Sequence, residues 1–226
     1  MLPATLSIFP LPNVVLFPDV FLPLHIFEPR YRDMVRAALD SDRLIGMVLV
    51  KPTPAGGSVA ATASALSDMG ELDPSTIDRP DVFQIGCAGV ISHVEEVEDG
   101  RYNIILRGLQ KFRVIGEDDD PTRRYRVARI EPITDAPLDK EALRRERSRL
   151  ESLLANSGTE NFSFRLPPSM PDVEFVHALS QYFGFEALER QALLELPDPV
   201  ARCRALIELV EMQLLMGTQG WGGEKH

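Results

Sequence analysis

The hydrophobic positions of the first part of the chain fall in short runs broken by proline. "LSIFPL", "NVVLFP" and "VFLPLHIF" are rich in β-branched and aromatic residues, which predicts strands. Proline inside such runs places them at edges, bulges or corners rather than in a flat sheet centre. The period then changes. From Pro29 the apolar residues are Tyr31, Met34, Val35, Ala38 and Leu39, a helical spacing. Pro29 suits the first helical position, where its missing N–H is an orphan in any case. Glu28, just before it, sets a carboxylate against the positive end of the helix dipole. "LPLHIFEPRYRDMV" therefore reads as a strand handing over to a helix, and "LIGMVLV" returns to strand.

Residues 52–80 are dominated by Gly, Ala, Ser, Thr, Asp and Pro with little apolar periodicity, and are expected to form a mobile insertion between strands. The strongest β pattern follows. "IGCAGVISHVEEV" meets "YNIILRG" across "EDGR", and Asp-Gly between alternating runs marks a hairpin. "KFRVIGE" then leads through "DDDPT" to "YRVARIEPI", which predicts a meander of antiparallel strands and a small closed or partly closed barrel. From about Pro137 the period becomes helical. "LDKEALRRERSRLESLLANS" carries a leucine stripe. "PDVEFVHALSQYFG" opens on an Asp capping signal and ends at Gly184. "FEALERQALLELP" stops at Pro197. The last helix has Asp198 as cap and Pro199 at its first position. The expected class is α+β: a barrel of antiparallel strands over residues 1–136, an α-helical bundle over 137–217, and a loose tail at 218–226.

Composition narrows the functions. A chain of 226 residues with 44% hydrophobic and 26% charged residues is ordinary for a globular protein. A net charge of -10 argues against a general nucleic-acid binder, which needs a basic surface to displace counterions. The proline-broken N-terminus has no basic start and does not read as a signal peptide, and no apolar run reaches the ~20 residues of a membrane helix. A cytoplasmic protein with no membrane contact is expected. Cys87 and Cys203 stand apart in apolar or helical contexts, as two reduced buried thiols would.

The motifs of catalysis are missing. The sequence has no phosphate loop of the GxxxxGK[ST] kind, no GxGxxG, no HExxH and no GxSxG. Its four histidines, His25, His93, His177 and His226, are isolated from one another. Of the lysines Lys51, Lys111, Lys140 and Lys225, none stands in an apolar setting that would depress its pKa and activate it as a base. His93 and Glu95 alternate along a strand, but two groups do not make a zinc site. The acidic run at residues 117–120 reads as a solvated turn. No catalytic residue, no metal ligand and no cofactor is expected.

The order of these blocks resembles the Lon protease N-terminal domain family. Pro10, Leu11, Val15, Phe17, Pro18, Pro23 and Leu24 match its proline-punctuated opening. Gly86, Gly89, Ile91, Gly108, Leu109 and Phe112 match its paired strands. Gln191, Leu193, Leu194, Glu195, Asp198 and Arg202 match its closing helix pair, with Arg190 and Cys203 departing from the usual lysine and leucine. The "LHIFEPRYR" version is similar to short, free-standing members, and the motifs of the ATPase and protease modules of a full Lon are not found in these residues.

That resemblance implies a PUA-like pseudo-barrel followed by a helical bundle, and a non-enzymatic module that recognises polypeptide. An apolar groove between barrel and helices, or an open strand edge, would take unfolded or hydrophobic segments of client or partner proteins. The candidate contact residues are His25, Phe27, Glu28, Arg30, Tyr31 and Met34, on a junction whose polar groups serve structure first. Met34, Met69, Met212 and Met216 would suit an adaptable surface, with the core as the other place expected for most of them. The alternative is an RNA-binding PUA-like module, with Arg101, Arg107, Lys111, Arg113, Arg123, Arg124 and Arg126 as a basic stripe interleaved with acids.

Overall fold

The structure, a computed structural model, describes residues 1–52, 79–118, 120–156, 167 and 169–219. The expected insertion and tail lie outside the described residues apart from their margins, as does Met69; the side chain of Met216 is likewise outside. The described chain is of the α+β class, with six strands and five helices. β1 (Thr5–Leu11), β2 (Phe21–Ile26), α1 (Pro29–Leu39), β3 (Leu44–Leu49), β4 (Ile85–Glu96), β5 (Tyr102–Asp118) and β6 (Arg126–Pro132) precede α2 (Lys140–Asn156), α3 (Asp172–Tyr182), α4 (Ala187–Glu195) and α5 (Pro199–Gln219).

The strands pair in the order β2-β5-β4-β3-β1-β6, and β5 also pairs with β6. Five strands thus form a closed circuit, and β2 lies outside it on β5. Leu6, Ile8, Val48, Ala88, Phe112, Ala128 and Ile130 form one buried cluster, to which each of those five strands contributes. Two expectations are corrected here. The sheet is not wholly antiparallel: β1 and β3 run parallel, Ile8 opposite Gly46. A parallel pair needs a long crossover, and the segment through β2 and α1 supplies it. The runs "YNIILRG" and "KFRVIGE" are one continuous strand, β5, whose first half pairs with β2 and whose second half pairs with β6. It changes partner by bending, with register shifts against β4 at Ala88/Gly89 and against β6 at Val114/Gly116.

"NVVLFP" is a third correction, because residues 13–18 form no strand. Val15, Leu16 and Phe17 are buried nonetheless. The segment runs through the core as irregular chain, and its backbone is satisfied from outside: the Phe17 N–H donates to Gln181 Oε1 at 3.1 Å and the Asp19 N–H to the Gly108 carbonyl at 2.9 Å. Gly108 permits this crossing, since a Cβ there would stand 2.0 Å from the Phe17 carbonyl oxygen. The hydrophobic pattern reported burial correctly, and burial alone does not distinguish a strand from a threaded loop.

The hairpin between β4 and β5 closes at Val97–Arg101, with Gly100 at φ +76°. Asp198 caps α5 as expected, accepting from the Val200 and Ala201 N–H groups at 2.8 and 2.9 Å. Asp172 does not cap α3. It sits in the first turn and accepts from Arg147 Nη1 at 2.7 Å. Helices α2, α3 and α4 pack on α5. The main core cluster runs without a break from the inner faces of β2, β4 and β5 through Phe17 to Val176, Leu194 and Leu206 of the helices. Among the described residues no helix is long and apolar enough to cross a membrane.

Candidate polypeptide-binding surface

The six candidate residues divide by burial. His25 and Phe27 are exposed, Phe27 by 54%. Glu28 and Arg30 are partly exposed and pair with each other at 2.8 Å. Tyr31 and Met34 are buried in the main core, at 6% and 0% exposure, and offer nothing to a partner. The helical period explains this split: Tyr31, Met34, Val35 and Ala38 lie on the inner stripe of α1. Phe9 packs on the Tyr31 ring at 4.2 Å and the Arg30 guanidinium covers it at 4.7 Å. Burial pushes the Tyr31 phenol above its ordinary value. Glu28 makes no side-chain cap to α1, and its carboxylate holds Arg30 instead.

β2 is an edge. Its side chains alternate: Phe21, Pro23 and His25 face outward and exposed, while Leu22, Leu24 and Ile26 turn toward the core. Its backbone alternates too. The Phe21 carbonyl accepts from the Tyr182 hydroxyl of α3, so it points away from β5. In an antiparallel pair, residues whose backbone groups point away alternate with residues bonded to the partner. Phe21, Pro23 and His25 are therefore the outward-pointing positions, opposite Arg107, Ile105 and Asn103. The proline confirms this register, because it has no N–H to give a neighbour.

The outer face continues across three strands. His25 Nδ1 lies 2.7 Å from Asn103 Oδ1, and Asn103 Nδ2 donates to Glu95 Oε2 at 2.9 Å. The His25 ring stacks on Phe27 with centroids 6.2 Å apart. Phe21 is 51% exposed at the other end of the strand. Phe21 was not among the sequence candidates, although the two-residue period that places His25 on this face places Phe21 there as well.

At the junction between sheet and helices, where a groove was expected, buried polar side chains bond one another and the helix ends. Arg202, fully buried, donates from Nε to the Leu193 carbonyl at 2.8 Å, from Nη2 to the Leu196 carbonyl at 3.2 Å, and from Nη1 to His177 Nε2 at 2.8 Å. Accepting that bond requires a neutral imidazole. Burial, followed by the Arg202 charge, pushes His177 down to about 3. Lys111, 3% exposed, bonds the Leu196 carbonyl at 2.7 Å and the Asp135 carboxylate at 2.6 Å. Burial lowers its pKa, which corrects the reading that no lysine stands in such a setting. Its ammonium is engaged in holding β5 to the α4–α5 turn. The two described clefts lie elsewhere: one of about 470 Å³ between residues 79–84 and β5, lined by Val82, Val114, Ile115 and Arg126, and one of about 230 Å³ between β1, α1 and Tyr125.

Among the described residues, six of the seven residues of the proposed basic stripe, all but Arg113, are paired with carboxylates. Arg101 pairs with Asp99, Arg107 with Asp19, Lys111 with Asp135, Arg123 with Asp118 and Asp120, Arg124 with Asp33, and Arg126 with Glu117. Cys87 and Cys203 are free and buried, and burial pushes both thiols up to about 12. Among the described residues no group of three or more His, Cys, Asp or Glu is gathered as a metal would require.

Known proteins agree with this architecture. The chain is 27% identical to Lon protease 2 of Syntrophobacter fumaroxidans over 208 residues, 88% of this chain and 23% of that protein. It is 26% identical to Lon protease of Cytophaga hutchinsonii over 227 residues, 95% of this chain and 25% of that one. The chain thus spans about a quarter of the length of these relatives. Two solved structures share the fold. The Lon N-terminal domain protein from Xanthomonas campestris aligns with a TM-score of 0.54 at 22% identity, over 90% of this chain and 97% of that one. The N-terminal domain of a Mycobacterium avium complex Lon protease aligns at 0.57 and 16%, over 92% and 98%. Residues 5–212 match the family described as the ATP-dependent protease La (LON) substrate-binding domain, and the chain belongs to that family.

Proposed function

We propose that the chain is a non-enzymatic, cytoplasmic polypeptide-recognition module: a PUA-like pseudo-barrel over residues 1–136 and a helical bundle over 137–217 that together present the outer face of β2 to unfolded or hydrophobic segments of client proteins. The observation that carries this reading is the pair of half-exposed phenylalanines, Phe21 at the start of one edge strand and Phe27 just past its end. Large exposed apolar side chains next to unpaired backbone mark interaction surfaces. Of the candidate residues, His25 and Phe27 meet the client, Glu28 and Arg30 border it, and Tyr31 and Met34 hold the α1 end of β2 in place. A shallow face without a deep pocket gives affinity on the order of micromolar.

The test is anisotropy of a fluorescent, permanently unfolded protein at low and high salt. Saturable binding that survives salt, and falls when Phe21 and Phe27 are both changed to Ser, supports the reading. Absence of saturable binding overturns it. Binding that collapses steeply with salt overturns it in favour of an electrostatic, RNA-like ligand.

A further inference from the structure

We propose that the β2 edge takes its client by strand addition in a single register, with the client an extended segment that carries apolar residues at every second position. The proposal rests on the polypeptide-binding reading above and specifies its chemistry.

The backbone defines the ligand. Between Leu22 and Ile26 the outward-pointing groups are the Pro23 carbonyl and the His25 N–H and carbonyl, by the alternation that the Tyr182 bond to Phe21 establishes. Among the described residues none of the three has a hydrogen-bond partner. Only another extended backbone offers a donor and an acceptor at the spacing of one strand residue. Tyr182 closes the edge at one end and the start of α1 closes it at the other, so the free stretch is short. An antiparallel segment makes two bonds with His25 and one with the Pro23 carbonyl. His25 is the single donor of the stretch, because Pro23 has none.

The side chains define the sequence class. Segment residues that face the core side of β2 meet Leu22 and Leu24, which are only partly buried and gain cover from an added strand. Segment residues on the other side meet Phe21 and the His25–Phe27 stack. A segment residue opposite His25 points its own N–H at β2 and its side chain outward. A core-facing residue points its N–H away. Backbone and side-chain requirements therefore fall on alternate positions.

Two experiments read this register. The first compares His25→Pro with His25→Ala in binding the unfolded protein. Proline removes the outward N–H, and alanine retains it. The expected result is binding at least about tenfold weaker for His25→Pro than for His25→Ala, with both variants retaining the wild-type melting profile by circular dichroism. The second uses a labelled peptide, Lys-Val-Thr-Val-Thr-Val-Lys, with N-methyl groups on the two threonines or on the first two valines. Threonine methylation is expected to weaken binding about tenfold or more, and valine methylation to leave it within about threefold. Equal binding by the two His25 variants, or equal effects of the two methylation patterns, overturns strand addition while leaving polypeptide recognition standing. If the wild-type chain binds neither the unfolded protein nor the peptide, the reading itself fails and this proposal with it.

Discussion

The Arg202 junction and the β2 edge treat polar groups in opposite ways. At the junction a guanidinium, an imidazole and an ammonium are taken out of water, and helix-end carbonyls and a carboxylate meet them. At the edge, backbone N–H and C=O groups point away from the sheet with no hydrogen-bond partner among the described residues, flanked by exposed phenylalanines. The first arrangement fixes the helices against the strands and uses its hydrogen-bonding groups internally. The second leaves hydrogen-bonding capacity where a ligand can use it. Rigid attachment and recognition are thus assigned to different parts of one fold, and substitutions should separate them.

The largest effect belongs to the junction. Arg202→Ala leaves the His177 acceptor without its donor and takes the guanidinium from the Leu193 and Leu196 carbonyls, which keep the Leu196 N–H and the Lys111 ammonium. The expected loss is about 3–5 kcal/mol of stability, read from the urea midpoint. A loss below about 1 kcal/mol would show that water replaces the guanidinium and that the junction is not closed. The same variant should not bind the unfolded protein differently once enough of it is folded, because Arg202 bonds α3 and the α4–α5 turn and not the β2 backbone.

Acid probes the same place through His177. Its folded-state value, about 3, lies below the ordinary 6.5, so the unfolded chain binds a proton that the folded chain refuses. Stability is then complete above about pH 6.5 and falls as pH drops toward 3, by about 1.4 kcal/mol per unit at the steepest. His177→Gln, with a side-chain oxygen to accept from Arg202, should flatten that part of the stability profile. Urea melts of both proteins between pH 4 and pH 7 make the comparison, and parallel curves would refute the assignment.

The edge was more legible in the sequence than the junction, for a physical reason. Strand period and proline placement are local signals: they locate β2, its outward face and the hand-over at Pro29 without knowledge of any partner. The junction depends on contacts across the chain, between β5, α3 and the α4–α5 turn. Arg202 and Phe17 were visible as parts of a familiar pattern, but nothing near them indicates that they meet. Lys111 looked like a surface cation because its neighbours in sequence are polar or alternate, while the groups that bury it lie more than twenty residues away. Residues 13–18 mislead in the other direction, since buried irregular chain and strand have the same apolar composition.

Proline scanning sharpens the edge at intermediate energies. The Leu24 N–H points to β5 in the register derived from Tyr182, opposite Ile104. Leu24→Pro should therefore break a ladder bond, with a loss of about 2 kcal/mol or more. His25→Pro, one residue on, should stay within about 0.5 kcal/mol of the wild type in stability. Equal losses at both positions would mean that the outward register is misassigned.

The smallest effect on stability is expected where the effect on recognition is large. Phe27 is more than half exposed, and its ring stacks on His25. Phe27→Ser removes apolar surface that water already wets, so the urea midpoint should shift by no more than about 0.5 kcal/mol. Four residues on, Tyr31→Ala empties a buried site against Phe9 and should cost about 3 kcal/mol or more. If the exposed ring exists to meet clients, the ranking reverses in a binding assay: Phe27→Ser weakens capture of the unfolded protein several-fold, and Tyr31→Ala, measured where it remains folded, changes it less. A Phe27→Ser protein that binds as well as the wild type would leave the edge backbone and Phe21 to carry recognition. The hand-over at Pro29 would then serve only to pin α1 to the end of β2.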